Sequence, residues 1–103
     1  MRKAGYSALC VTASTGLRAQ LRAALHGFRL RFLGSAAELV KASPSSGLVV
    51  IDDALPDMSG RDLAAVLRGD RKTAGLLLVL ACTGAYHPSD AARSLDNGAD
   101  EYL

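Results

Sequence analysis

The spacing of apolar positions changes repeatedly along this chain, and each change marks an element. Ala8 to Val11 is a short apolar run that predicts a strand. From Ser14 the spacing becomes helical, with Leu17, Leu21, Ala24 and Leu25 on one face and Gly27 as the stop. In Phe28 to Leu33, FRLRFL, apolar residues alternate with Arg29 and Arg31, the pattern of a strand with one wet face at a sheet edge. Ser35 followed by Glu38 gives capping-box spacing for a short helix through Val40 or Lys41, and SPSSG ends it. Leu48 to Ile51 is continuously apolar and rich in β-branched types, which predicts a strand buried on both faces. Ser59 and Asp62 repeat the capping spacing ahead of Leu63, Val66 and Leu67, and residues 69–75 read as a polar loop. Leu76 to Ala81 predicts a second fully buried strand. Pro88 suits a first helical position, Ala91, Ala92 and Leu95 form an apolar face, and Gly98 stops that helix before Glu101-Tyr102-Leu103 begins a last strand.

Strands that alternate with helices imply an α/β domain whose parallel sheet is covered on both faces through right-handed crossovers. The expected architecture is a single flavodoxin-like, three-layer domain over residues 1–103 with strand order 2-1-3-4-5. In that order the direction of winding reverses between the first and third strands. Residues just after Val11 and Ile51 then meet at one rim, where open α/β sheets keep their chemistry.

Composition narrows the function classes. The longest apolar run, Leu76 to Cys82, is too short to span a bilayer, and the opening MRKAGYSALCVTAS lacks the long apolar stretch of a secretory signal. A cytoplasmic protein with no membrane contact is expected. Cys10 and Cys82 lie in strand-like runs and predict buried, reduced thiols, while His26 and His87 form no metal or nucleophile motif. Residues 1–47 carry 7 basic and 1 acidic side chains, residues 48–103 carry 5 and 9. Little aromatic interleaving accompanies the basic residues, so solvated faces explain them better than nucleic-acid contact.

Asp52 and Asp53 end the buried strand, with Pro56 four residues and Gly60 eight residues after Asp52. With these spacings the segment LVVIDDALPDMSG resembles the phosphoacceptor region of a response-regulator receiver domain. The resemblance runs over the whole chain: Thr83 in Cys82-Thr83-Gly84 matches the hydroxyl position after the fourth strand, and GADEYL at 98–103 matches the approach to the fifth, with Tyr102 on the switch aromatic. It implies a signalling domain, not an enzyme, phosphorylated on Asp52 by a sensor histidine kinase and coupled to an output domain such as a DNA-binding one. It also implies Mg²⁺ held by Asp52, the Ala54 backbone carbonyl and an acidic pair after the first strand. Here Thr12 and Ala13 occupy the acidic-pair positions, and a hydroxyl and a methyl cannot replace two hard anionic ligands. Asp53 faces away from Asp52 on a strand, which leaves Asp57, on the loop, as the remaining acid with reach.

The expectation is therefore an atypical receiver with weak or no Mg²⁺-dependent phosphorylation and no resident cofactor, working by protein interaction or dimerisation. A functional phosphoacceptor at Asp52 is the alternative, and a flavodoxin-like ligand-binding domain a third reading. Each candidate residue also has a plainer role: Asp52 as a residue without chemistry, Thr83 as a strand-end cap, Tyr102 as packing. The sequence given ends before the Lys and last helix that the resemblance implies. A homodimer is expected to cover the sheet face left by that helix, with Val49, Ile51, Leu77 and Val79 on it.

Overall fold

Three serines set where the helices begin. Ser14 Oγ accepts from Leu17 N at 3.1 Å, Ser35 Oγ from Glu38 N at 3.2 Å and Ser59 Oγ from Asp62 N at 3.1 Å, each satisfying a donor that the first turn leaves unpaired. The computed structural model describes residues 7–44, 47–81 and 99–102. The elements are β1 (Ser7–Val11), α1 (Thr15–Ala24), β2 (Arg29–Leu33), α2 (Ala36–Ala42), β3 (Leu48–Asp52), α3 (Gly60–Gly69), β4 (Leu77–Ala81) and β5 (Glu101–Tyr102). All strand pairs are parallel and the sheet order is β2-β1-β3-β4-β5, as the alternation predicts. The helix expected from Pro88 to Gly98 lies outside the described residues.

Register divides the core into two layers. Val49 pairs with Leu78 and Ile51 with Leu80, and these four pack with Leu39 of α2 and Leu63, Ala64 and Leu67 of α3. On the opposite face Cys10, Val50 and Ala81 pack with Leu17 and Leu21 of α1. Side chains alternate across a strand, so Val49 and Ile51 cannot share a face with Leu77 and Val79, contrary to the grouping expected for a dimer face. Nor is β4 fully buried: Leu77 is 52% exposed and Val79 half-buried.

Two helical positions also differ from expectation. Ala24 is exposed because it is the last residue of α1, and the half-buried Leu25 takes its place against the α1-side core. Val66 is 51% exposed. The buried stripe of α3 runs through Gly60, Leu63, Ala64 and Leu67, and at about 100° per residue Val66 falls roughly 110° from its centre.

At the end of the sheet away from the rim, polar side chains close the turn that follows α3. Thr73 Oγ1 donates to Leu67 O at 2.6 Å, and Arg68 donates to the carbonyls of Ala74 and Leu76 and pairs with Asp100. Asp100 also accepts from Leu78 N at 2.8 Å, which ties the approach to β5 onto β4.

Cys10 is fully buried, and burial pushes its thiol up to about 11. Because the thiolate is the reactive form, Cys10 is expected to resist alkylation in the native protein and to react on unfolding. Iodoacetamide labelling of a Cys82→Ser variant, read by intact mass with and without urea, checks this, and fast native labelling would contradict it.

Candidate functional site

The reversal point of the sheet lies between β1 and β3, and their register sets the site. Val11 is opposite Ile51, so the next residues, Thr12 and Asp52, meet at the carboxyl ends of neighbouring strands on the α1 side. Both are buried, Thr12 fully and Asp52 to 2% exposure. Thr12 Oγ1 donates to Asp52 Oδ2 at 2.6 Å, and the same hydroxyl accepts from Ser14 N at 3.0 Å. The other Asp52 oxygen, Oδ1, accepts from Ala54 N at 2.9 Å. A relay thus runs from the start of α1 through a hydroxyl to a buried carboxyl group, each bond polarising the next in a low-dielectric setting.

Arg18 closes this arrangement from the first helix. Its Nε and Nη2 donate to the Thr12 carbonyl at 3.1 and 2.8 Å, and its guanidinium carbon lies 5.3 Å from the centroid of the Phe32 ring. Thr12 N donates in turn to Leu33 O at 2.8 Å, so all of its backbone and side-chain polar groups are engaged. Sequence reasoning treats Thr12 as the loss of an acid and overlooks Arg18. The available signal is position: a long cationic side chain four residues after an N-cap can reach back over the turn that precedes it.

Gly60 explains the eight-residue spacing. A Cβ there would lie 2.4 Å from Asp52 O, 2.8 Å from Asp53 Cα and 2.9 Å from Leu80 Cδ2. Only glycine lets α3 start directly against the end of β3. Gly60 N donates to Asp53 O at 3.1 Å, and Ala54 bridges to Ser59 across the loop.

The donor set does not suit a small hard cation. Mg²⁺ is held through several oxygens in near-octahedral geometry. At this rim Asp52 spends one oxygen on a hydroxyl and the other on an amide, and Thr12 offers no carboxylate. Ala13 is exposed and apolar, and Ala54, whose carbonyl is the other expected ligand, is exposed on the loop after β3. Among the described residues no three His, Cys, Asp or Glu side chains converge on a common point. Thr83 lies outside the described residues, as does the side chain of Tyr102, and Cys82 with them.

Asp57 is committed elsewhere. Its Oδ1 and Oδ2 accept from Ala36 N and Ala37 N, both at 2.9 Å, so it caps the first turn of α2 from the rim loop. Those two bonds, to Ala36 first and then Ala37, hold its carboxyl below the ordinary value of 3.8. A lowered folded pKa means that the tether is complete above the ordinary value and lost as pH falls through the lowered one. An NMR titration of the Asp57 carboxyl carbon is expected to show a midpoint below 3.8. In Asp57→Asn, amide exchange at Ala36 and Ala37 should quicken, and an unchanged rate would show that the tether contributes nothing.

No family model and no curated protein matches the sequence. Solved structures do match by fold. The BeF3-activated DrrB receiver domain superposes with a TM-score of 0.80 at 17% identity, over 95% of this chain and 82% of that one. The signal receiver domain of an HD domain-containing protein from Pseudomonas fluorescens Pf-5 gives 0.80 at 22% identity, over 100% and 77%. The Mn²⁺-bound form of response regulator Rcp1 gives 0.78 at 18% identity, over 95% and 79%. The strand order, the carboxyl-end rim and these superpositions agree: the chain has the CheY-like fold of response-regulator receiver domains.

Proposed function

We propose that this chain is a receiver domain of a two-component response regulator in which Mg²⁺-dependent phosphorylation of Asp52 is weak or absent. In this reading it is a cytoplasmic signalling module, not an enzyme, that regulates an output domain, DNA-binding in many such proteins, through protein contacts or dimerisation. A sensor histidine kinase or another signalling protein is its upstream partner. The observation that carries the proposal is the Thr12–Asp52 hydrogen bond. Phosphoryl transfer to a carboxylate needs a free attacking oxygen and a cation to offset the charge of both reactants. At this rim one oxygen is held at 2.6 Å by a hydroxyl, the other by Ala54 N, and the acids that would bring the cation are a threonine and an alanine.

Calorimetric titration with Mg²⁺, followed by incubation with acetyl phosphate and intact-mass analysis, tests the proposal. The expected result is no saturable one-site heat and little phosphoryl adduct. Tight one-site binding together with an adduct, both abolished by Asp52→Ala, would establish the working phosphoacceptor instead.

A further inference from the structure

We infer that the loop after β3 couples the Asp52 rim to the first turn of α2, with Asp57 as the connecting residue. The inference rests on the reading of that rim as the input site, and it holds whether or not Asp52 accepts a phosphoryl group. The amides of Ala36, Ala37 and Glu38 open α2 and have no carbonyl partner inside it. Ser35 Oγ takes the Glu38 amide at 3.2 Å, and the other two go to Asp57, 21 and 20 residues away. The rim loop therefore supplies the larger part of the cap. α2 has only seven residues, and helices of that length are marginal without outside support. Its order thus depends on where the loop stands.

The loop in turn is set by Asp52. Ala54 N donates to Asp52 Oδ1 at 2.9 Å, Ala54 bridges to Ser59, and Gly60 N donates to Asp53 O at 3.1 Å. These bonds close the segment 54–59 at its neck, so that it shifts as a unit when its base shifts. Between Ala54 and Asp57 stand only Leu55, half-buried against the core, and Pro56, whose ring fixes one backbone dihedral. The linkage is short and stiff. It is also the route around the sheet: Asp52 points to the α1 layer, whereas Leu39 of α2 packs in the opposite layer with Val49 and Ile51.

Two states follow. In one, Oδ1 holds Ala54 and Asp57 caps α2. In the other, a ligand, cation or substitution takes Oδ1 from Ala54 N, the neck is released, and the Ala36 and Ala37 amides lose their acceptor. Coupling of this kind is reciprocal, so cutting the Asp57 end must be felt at Asp52. α2 also carries Val40, which frames a groove between the helices with Val66 of α3, so the released state alters a surface as well as a helix end.

Amide and carboxyl NMR of the unsubstituted chain, Asp52→Ala, Asp57→Ala and the double variant tests this. Asp57 is exposed, so its substitution leaves the core intact. Asp57→Ala should quicken exchange at Ala36 and Ala37 about five- to tenfold, the loss expected of a helix cap. It should also quicken exchange of the Ala54 amide and move the Asp52 carboxyl resonance. Asp52→Ala should quicken exchange at Ala36 and Ala37, and should add nothing in the Asp57→Ala background. Leu21→Ala, a core change in the α1 layer, controls for general destabilisation and should leave the Ala36 and Ala37 resonances in place. An Asp52 carboxyl and an Ala54 amide unmoved by Asp57→Ala overturn the inference, even where Asp52→Ala fails to fold. So does an Asp52→Ala effect at α2 that is nil, or that is equal with and without Asp57.

Discussion

Gly60→Ala lowers stability by about 3 kcal/mol or more, the upper end of what overpacking costs, and drops the melting temperature by about 12 °C or more. The reason lies in what the added methyl meets. Of its three nearest neighbours, two are backbone atoms at the end of β3, Asp52 O at 2.4 Å and Asp53 Cα at 2.8 Å, and the third belongs to the buried Leu80. Neither backbone atom can move without shifting Asp52 itself, which is tied to Thr12 and Ala54. Relief therefore has to come from α3, whose Leu63, Ala64 and Leu67 fill the core on that face. A Gly69→Ala control, where nothing lies within 4 Å of the new Cβ, should be neutral or slightly stabilising, since alanine is the better helix former. Thermal melts of both variants decide the matter. A Gly60→Ala melt within a degree or two of the unsubstituted protein would mean that α3 can slide at no cost.

The contrast between what the sequence shows and what it hides follows from range. Strand and helix positions were legible because they depend on near neighbours: the serine caps, the β-branched run of β3 and the alternation in β2 all act within a few residues. Asp52 was legible as a rim residue for the same reason, its place at the end of an apolar strand. Its partner was not. Thr12 and Asp52 are forty residues apart, and only the β1–β3 register makes them neighbours. A place at a sheet rim by itself implies a partly exposed side chain, whose substitution costs little. Instead Asp52 is buried and bonded through both oxygens, which makes substitution there a core change. Asp57 shows the same limit: as a sequence position it is a loop acid near the site, and only the fold reveals that it faces α2.

Thr12 is the residue whose substitution separates structure from chemistry at this rim. Valine has nearly the same shape but no hydroxyl, so Thr12→Val removes the 2.6 Å bond to a buried carboxyl group at a cost of about 2 to 3 kcal/mol. A double-mutant cycle with Asp52→Asn should return a coupling energy of about 1 to 3 kcal/mol, as expected for contacting residues in one network. Thr12→Asp with Ala13→Asp tests the other half of the argument. Without metal, a carboxylate in place of the hydroxyl sets two acids against each other in a buried site, and the melt in EDTA should fall below that of the unsubstituted protein. With Mg²⁺ the same acids become ligands, and at a hundred times Kd the ion stabilises the folded variant by about 2.7 kcal/mol. The unsubstituted protein, whose rim offers a hydroxyl and a methyl at those positions, should melt at the same temperature with and without Mg²⁺. Equal Mg²⁺ shifts in the two proteins would show that Asp52 and its neighbours already hold the ion, and the Thr12–Asp52 bond would then be a contact that metal binding displaces.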